Sequence, residues 1–290
     1  MGGTAYNPFY YTAFAYFFQE IFHEFRNYFL KWLKKFGKDS IMVWKKESEK
    51  GREENGMKYD IILFDADGTL LDFARSEKEA LSDALDQIGM TYDDEVIATY
   101  SRMNDELWKR LERGEIEKKV LFYRRFELFF SHYGFEWDAH DMAKRYMYAL
   151  AQKGYILEGA DALCRALYGK VRLYIVTNGV EFIQKGRFAA CGLAPYFEDR
   201  FISDALGYEK PKTEFFEAVA RQIPNFSKER VLIVGDSLTS DMRGGINYGI
   251  DTCWYNPTGK SVPMDMEGEI TYTAESFGEI EKLILEDVAP

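Results

Sequence analysis

Unbroken apolar runs and amphipathic stretches alternate along the chain from residue 58 onward. Four apolar runs predict buried strands, at 59–65, 171–176, 231–235 and 250–254. Apolar residues recur at helical spacing in five stretches between them, 76–88, 158–168, 180–190, 213–222 and 239–248. Strands that alternate with helices are typical of a parallel sheet that is covered by helices on both faces. We therefore predict an α/β fold with a three-layer core.

A long helical segment interrupts this alternation after the first strand and helix. Residues 92–153 are rich in helix formers and predict three or four amphipathic helices, at about 93–113, 116–133 and 138–153. We interpret the segment as an inserted all-helical cap domain that spans 76–154. The core domain then consists of residues 57–75 and 155–290.

The first 56 residues differ in composition from the rest of the chain. Segment 5–36 is crowded with aromatic residues, and no charged residue precedes Glu20. Phenylalanines recur there at helical spacing and lysines follow, which predicts an amphipathic helix that lies on a membrane surface or on a partner. Alternatively, these residues are an upstream extension that the folded core does not need. Residues 45–56 (KKESEKGREENG) predict a charged, solvated linker.

Charge and cysteine content narrow the class of protein. The formal net charge of -11 argues against nucleic acid as a partner, because the phosphate backbone repels an acidic surface. Cys164, Cys191 and Cys253 lie far apart and show no metal-ligand spacing. An odd number of such cysteines fits a reducing cytoplasm and no disulfide framework. We expect a cytoplasmic protein, and the sequence leaves its oligomeric state open.

Polar residues stand at four points where the predicted sheet would bring them together. In a parallel sheet, chemistry gathers at the carboxyl ends of the strands. DADGT (65–69) follows the first strand, TNG (177–179) follows the second, and DSLTSD (236–241) follows strand 231–235. The fourth point is a lysine in GYEKPKTEFF, just before a helix. Any one of these is typical of a turn or a helix cap. Their order and spacing together indicate a site that contains Asp65, Asp67, Thr177, Asn178, Lys210, Asp236 and Asp241.

The four motifs resemble those of the haloacid dehalogenase-like hydrolase superfamily, which are DxDGT, a strand that ends in Thr/Ser-Asn, a lysine, and GDSxxxD. LYIVTNGV, LIVGDSLTSDMRGG and DTCWYNP are similar to the bacterial house-cleaning pyrimidine 5′-nucleotidases. The resemblance covers roughly 57–288 and leaves out 1–56. It implies a Rossmann-like core and a helical cap that closes over the site. It also implies a Mg²⁺-dependent phosphomonoesterase of nucleoside 5′-monophosphates, pyrimidine ones such as dTMP, dUMP and UMP preferred.

Two carboxylates at the tip of a buried strand require a compensating charge. At ~4 Å apart and an effective dielectric constant of about 20 they repel by roughly 4 kcal/mol, and a phosphate ester adds to this. A divalent cation removes the conflict, and hard oxygen ligands select Mg²⁺. The resemblance implies that Asp65, Asp236 and the backbone carbonyl of Asp67 hold the metal. Asp241 is expected to orient this shell rather than to ligate directly.

The resemblance also implies a role for each remaining residue. Asp65 attacks phosphorus and forms an aspartyl-phosphate, for which an ionised carboxylate needs no base. Asp67 protonates the leaving oxygen and later takes a proton from the hydrolytic water, so it must carry a proton when substrate binds. Thr177, Asn178 and adjacent backbone N–H groups bind the phosphate oxygens. Lys210 neutralises charge on the nucleophile and on the phosphoryl group.

Four aromatic or cationic residues of the predicted cap are candidates for contact with a base or a sugar. They are Trp108, Tyr123, Arg124 and Phe126. Ordinary helix packing, or a solvated helix face, is the favoured interpretation for each of them.

Several other functions remain open on the sequence alone. A phosphatase of sugar phosphates, or of other small phosphate esters, would carry the same motifs, and so would a sugar phosphomutase. A dehalogenase is less favoured, because that chemistry needs no metal and no acid/base Asp at position 67. A transport ATPase shares the aspartyl-phosphate but needs membrane helices. From a different class, a binding protein tethered to a membrane or partner through 1–56 would be no enzyme at all.

Overall fold

The central strand of the fold, β1 (Ile61–Phe64), is apolar throughout and buried throughout. The computed structural model describes residues 57–286, and the extension predicted at 1–56 lies outside them. Within the described part, no helix is both long and apolar enough to cross a membrane. The six strands are β1, β2 (Arg172–Thr177), β3 (Asp199–Ile202), β4 (Val231–Gly235), β5 (Asp251–Tyr255) and β6 (Tyr272–Ala274).

All six strands are parallel and form one sheet in the order β3-β2-β1-β4-β5-β6. β1 lies in the middle, with Phe64 opposite Ile175 of β2 and Val234 of β4. Because the strands are parallel, their carboxyl ends meet at one edge of the sheet. The segments that follow β1, β2 and β4 carry the polar motifs and are therefore neighbours.

The side chains of β1 alternate between two hydrophobic cores. Ile62 and Phe64 belong to a core formed with α5 (Ala160–Leu167) and α10 (Phe277–Leu285). Ile61 and Leu63 point to the other face, into a core formed with α8 (Thr213–Ala220). Side chains of a strand alternate between the faces of its sheet, so an unbroken apolar run needs cover on both. The predicted three-layer α/β core is confirmed.

Four helices inserted after β1 form a separate helical layer. They are α1 (Phe73–Ile88), α2 (Asp94–Glu112), α3 (Lys118–Tyr133) and α4 (Ala139–Leu150). Their shared core combines aliphatic side chains with buried aromatic ones, and the rings of Tyr100 and Phe126 stack at 5.3 Å between centroids. Asp93 caps α2 by accepting a hydrogen bond from the backbone N–H of Val96 at 3.0 Å. The helical insert is as the periodicity predicts, and its limits as a domain, 76–154, remain a prediction.

The remaining helices complete the fold, and several elements differ from the prediction. They are α6 (Glu181–Cys191), α7 (Ser203–Leu206) and α9 (Arg243–Tyr248), with one π-helical turn at Leu238–Met242 and short 3₁₀ turns at Ala194–Tyr196, Lys228–Arg230 and Met264–Met266. The pattern gave one helix over 239–248, where the structure has the π-helical turn followed by α9. It missed β3, β6, α7 and α10. β3 begins with two polar residues and β6 has three residues, so neither contains an apolar run.

Candidate active site

The turn after β1 places the first carboxylate inside the protein. The backbone N–H of Asp65 donates to Val234 O at 2.9 Å, which carries the sheet pairing one residue beyond the strand. Asp65 is 7% exposed. Gly68 follows in the left-handed region at a φ of 85°, and a Cβ there would lie 2.5 Å from Asp236 Oδ2. The turn therefore requires glycine both for its backbone angle and for the close approach of Asp236.

Lys210 joins Asp65 to the segment that follows β4. Its Nζ donates to Asp65 Oδ1 at 2.6 Å, to Asp241 Oδ1 at 2.6 Å and to Val176 O at 2.8 Å. Lys210 is 1% exposed, and burial alone would lower its pKa, but the two carboxylates raise the pKa above its ordinary value. Lys210 is thus a buried cation with all three of its N–H donors used.

Three carboxylates crowd together at this edge of the sheet. Asp65, Asp236 and Asp241 each offer an oxygen atom, and these atoms lie within 4.8 Å of one another. Burial, with Lys210 opposing and the nearby carboxylates adding, raises the pKa of Asp65 well above its ordinary value. Burial and then Asp241 raise the pKa of Asp236 to about 7. One lysine does not balance the cluster, and its hard oxygen donors fit a divalent cation such as Mg²⁺.

The hydroxyl of Thr69 and the carboxylate of Asp241 hold this cluster in place. Thr69 Oγ1 accepts from the backbone N–H of Asp236 at 3.0 Å and lies 3.1 Å from Asp236 Oδ1. Asp241 is fully buried, and both of its oxygens have donors, since Oδ1 accepts from Lys210 and Oδ2 from the backbone N–H of Ser237 at 3.2 Å. This bonding suits an orienting residue, the role predicted for Asp241.

The segment after β2 contributes Thr177 and Asn178. Thr177 Oγ1 accepts from the backbone N–H of Gly179 at 3.0 Å and from Gln184 Nε2 at 3.2 Å. The amide of Asn178 donates from Nδ2 to Lys210 O at 2.8 Å and accepts at Oδ1 from Lys210 N, also at 2.8 Å. Asn178 therefore fixes the backbone of Lys210. Binding of phosphate oxygens by Thr177 and Asn178 remains a prediction.

Asp67 points away from the other carboxylates toward α6, to two partners that the motifs did not indicate. Arg187 forms an ion pair with Asp67 Oδ1, and Gln184 Nε2 donates to Asp67 Oδ2 at 2.6 Å. Arg187 is 0% exposed and also donates to Lys153 O at 3.1 Å and to Ser76 Oγ at 3.3 Å. A signal did exist, because Gln184 and Arg187 occupy positions on α6 that helical spacing assigns to the interior.

A cavity of about 410 Å³ lies above these groups. We call Asp65, Asp67, Thr177, Lys210 and Asp236 its floor. The opposite side, which we call the cap wall, consists of Phe73, Glu77, Ser101, Asn104, Asp105, Trp108 and Glu112. Of the described residues that line the cavity, Lys210 is the single cation. With three acidic and two aromatic side chains, the cap wall is acidic and partly aromatic.

Trp108 is the one cap candidate from the sequence that lines this cavity. Tyr123 stacks on His140 at 4.3 Å between ring centroids, and Arg124 pairs with Glu127 at 2.8 Å. Phe126 is buried in the core of the cap. The interpretation as ordinary packing, or as a side chain on a solvated surface, is therefore correct for Tyr123, Arg124 and Phe126.

Two polar contacts hold the helical layer against the core on either side of the cavity. Thr239 Oγ1 donates to Glu112 Oε2 at 2.6 Å. Lys118 Nζ donates to Ser203 Oγ at 2.6 Å and lies 3.5 Å from Gly179 O. Burial lowers the pKa of Lys118, with Glu209 and Asp204 opposing. Both contacts would break if the cap moved away, so this arrangement is a closed one.

The chain is similar to known hydrolases in sequence. A family model described as haloacid dehalogenase-like hydrolase matches residues 59–249. The pyrimidine 5′-nucleotidase PynA of Streptococcus pneumoniae is 43% identical over 80% of this chain and 99% of its own length. The pyrimidine 5′-nucleotidase YjjG of Escherichia coli is 33% identical over 79% of this chain and 99% of its own length.

The fold is similar to solved structures. The HAD-hydrolase YfnB of Bacillus subtilis, described as bound to magnesium with an interdomain movement, superimposes with a TM-score of 0.75 at 36% identity. That match covers 79% of this chain and 99% of YfnB. An L-2-haloacid dehalogenase of Xanthobacter autotrophicus has a TM-score of 0.61 at 17% identity, covers 79% of this chain and 100% of its own, and shares the fold.

Proposed function

The chain belongs to the haloacid dehalogenase-like hydrolase family, and we propose that it is a Mg²⁺-dependent phosphomonoesterase of nucleoside 5′-monophosphates, with pyrimidine nucleotides preferred. One observation carries the proposal. The cavity that holds Asp65 and Lys210 also has a cap wall with aromatic rings and, among the described residues, no cation. Such a cavity accommodates a phosphate at its floor and an uncharged, flat leaving group above it.

The charge of the cap wall favours nucleosides over other leaving groups. Glu77, Asp105 and Glu112 would repel a carboxylate or a second phosphate on the substrate. A nucleoside carries neither of these groups. PynA and YjjG, which match this chain over nearly their whole length, are both named pyrimidine 5′-nucleotidases. The charge of the cap wall and the names of the two relatives thus favour the same substrate, a small phosphorylated metabolite of the nucleoside monophosphate class.

We infer that the reaction begins with attack by Asp65 on phosphorus. Asp65 Oδ2 forms the new P–O bond as the bond to the ribose 5′ oxygen breaks, and the phosphoryl group becomes an aspartyl-phosphate. Asp65 Oδ1 stays beside Lys210, whose positive charge offsets that of the phosphoryl oxygens. Thr177 and the backbone N–H groups beside it bind the phosphate. Asp67 donates a proton to the leaving oxygen.

In the second step, water hydrolyses the aspartyl-phosphate and Asp67 takes the proton of that water. Arg187 and Gln184 each bond one oxygen of Asp67 and so hold its carboxylate in one orientation. The step releases phosphate and restores the ionised Asp65. Closure of the cap excludes bulk water from both steps.

The side chains of Asp65 and Asp236 and the backbone carbonyl of Asp67 would hold Mg²⁺. Bound there, the ion offsets the negative charge of the carboxylates and of the phosphate. The fit rests on the crowding of Asp65, Asp236 and Asp241, whose oxygens lie within 4.8 Å. The magnesium described for YfnB supports the same choice of metal.

We also propose that the protein is cytoplasmic, because its three free cysteines suit a reducing compartment.

Phosphate release from a substrate panel tests the proposal. The full chain is incubated with UMP, dUMP, dTMP, CMP, AMP, GMP, ribose 5-phosphate and phosphoglycolate, with Mg²⁺ or with EDTA, and with Asp65→Asn as control. We expect metal-dependent release that favours pyrimidine nucleotides and is lost in the variant. Release from sugar phosphates instead would retain the chemistry and refute the substrate. No release from any ester would favour a binding role.

A further inference from the structure

The cap wall contains one amide whose orientation is fixed by charged neighbours. Asn104, on α2, is 2% exposed and lines the cavity. Its Oδ1 accepts a hydrogen bond from Arg125 Nη1 at 3.2 Å, and its Nδ2 donates to Glu77 Oε1 at 2.7 Å. Because a guanidinium can only donate, Oδ1 must face Arg125, and rotation of the amide by half a turn would break both bonds.

The residues behind Asn104 are themselves held in place. Glu77 is 5% exposed, and its second oxygen accepts from Ser101 Oγ at 2.6 Å. Arg125 is 3% exposed, donates from Nε to Phe122 O at 3.2 Å and lies over the ring of Tyr146. These side chains come from all four helices of the insert, so the packing of the cap fixes the direction of the amide.

Asn104 keeps one free hydrogen-bonding function on each polar atom. Nδ2 carries two hydrogens and Oδ1 two lone pairs, and each atom has one partner among the described residues. Each polar atom of this cavity-lining residue can therefore make one further hydrogen bond, the amide nitrogen as donor and the amide oxygen as acceptor. The imide edge of uracil or thymine is the complement, since a carbonyl oxygen stands there beside the N3–H.

We propose that Asn104 recognises the base of the leaving nucleoside, with Nδ2 donating to a base carbonyl and Oδ1 accepting from N3–H. This rests on the proposed nucleotidase function and assigns a specificity residue to it. Trp108 lies four residues further along α2, hence on the same face, and lines the same cavity. Its indole supplies a flat surface on which a base can stack.

A pair of substrates tests the contact without any mutation. 3-Methyluridine 5′-monophosphate differs from UMP in one position, where a methyl group replaces the N3 hydrogen. With the full chain and saturating Mg²⁺, we expect kcat/KM for UMP to exceed that for the methylated nucleotide by about tenfold or more, because Oδ1 would lose its partner in a buried site.

Substitution of Asn104 then assigns the discrimination to this residue. In Asn104→Leu, and in the smaller Asn104→Ser, the ratio of the two kcat/KM values should fall toward one, through loss of activity on UMP. Asn247→Leu, at an exposed position of α9 outside the cavity, is the matched control and should keep the wild-type ratio. Thermal unfolding of each variant checks that the fold is intact.

The outcomes separate this inference from the function on which it rests. Equal rates for UMP and its methylated form, both lost in Asp65→Asn, would refute base recognition and leave the nucleotidase standing. Discrimination that persists in both Asn104 variants would assign it to another residue. No release from any nucleotide would refute the proposed function and this inference together.

Discussion

The floor and the cap wall of the cavity are built from different parts of the fold. The floor stands at the ends of β1, β2 and β4, so backbone pairing in the sheet fixes the positions of Asp65, Thr177 and Asp236. The cap wall comes from helices, and its key amide at Asn104 depends on side chains of three of them. The floor contains a buried lysine between two carboxylates, whereas in the cap wall an ion pair is present at Asp105, with the exposed Lys109.

This difference indicates how the two halves of the site divide the work. A floor that is fixed by strand pairing suits a reaction step that every substrate shares. A cap wall that is fixed by side-chain packing can change with few substitutions and without disturbing the sheet. We therefore expect changes in the floor to lower the rate for all phosphate esters, and changes in the cap wall to alter the choice among them.

The largest effect should follow Asp65→Asn, which removes the proposed nucleophile from the floor. We expect kcat to fall by about four orders of magnitude or more for both UMP and p-nitrophenyl phosphate, since neither can be hydrolysed without attack on phosphorus. Phosphate release measures this. A large loss on one ester but not the other would contradict the view that the floor acts on all substrates alike.

Lys210→Met should lower kcat by about 10²–10³ on both substrates, because a fixed positive charge at the phosphoryl group is lost. It should also lower the free energy of unfolding by about 3–5 kcal/mol, since Asp65 and Asp241 would be left buried together without a cation.

Urea unfolding and phosphate release on the same samples check both effects of Lys210→Met. Lys212→Met is the control two residues away, where the side chain is 52% exposed and pairs with Glu209. It should change neither quantity appreciably. If the two lysine variants have equal stability, Lys210 does not act as the counterion of the floor.

Arg187→Met tests the residue that connects the floor to the cap. Loss of its ion pair with Asp67 should slow hydrolysis of UMP by about 10- to 100-fold, because the ion pair positions Asp67, the residue proposed to protonate the ribose oxygen. p-Nitrophenyl phosphate should lose less, since nitrophenolate leaves without a proton. Arg165→Met, whose side chain is 70% exposed, is the matched control. Equal losses on both esters would limit Arg187 to a structural role.

Most of the floor could be predicted from sequence because Asp65, Asp67, Thr177 and Asp236 follow recognisable strands, whereas Lys210 lies just before a helix and was indicated by its order among the other motifs. An unbroken apolar run such as Ile61–Phe64 marks a buried strand, and the polar residue after it marks the reactive edge. Gln184 and Arg187 escaped notice because a polar residue on a helix is usually solvated. Helical spacing places both residues on the buried face of α6, but only the structure shows that their partner there is Asp67.

The cap wall could not be predicted in the same way. The helical insert was evident from its periodicity, and Trp108 was named among four candidates. The importance of Asn104 depends on Glu77 and Arg125, which lie 27 and 21 residues away in the chain. Periodicity predicts the buried face of each helix, but it does not predict which residues of different helices contact one another.

The smallest effect should come from Glu77→Gln, and it should depend on pH. Burial raises the pKa of Glu77 above its ordinary value of 4.5, with Ser101 and Asn104 opposing. The stability that this group contributes is therefore complete below pH 4.5 and is lost as pH rises through the pKa of the folded state. Glutamine does not titrate, so the melting temperature of the variant should gain on that of the wild type between pH 4.5 and pH 8. Each kcal/mol corresponds to about 2–4 °C.

Thermal unfolding at both pH values measures this gain. Glu136→Gln, at an exposed position of the cap, is the control for the substitution itself and is measured at the same two pH values. If the gap between Glu77→Gln and the wild type is also constant, Glu77 stays ionised in the fold across this range. The carboxylate behind Asn104 would then carry its charge throughout, and a fixed negative charge, rather than a neutral acid, would hold the amide of the cap wall.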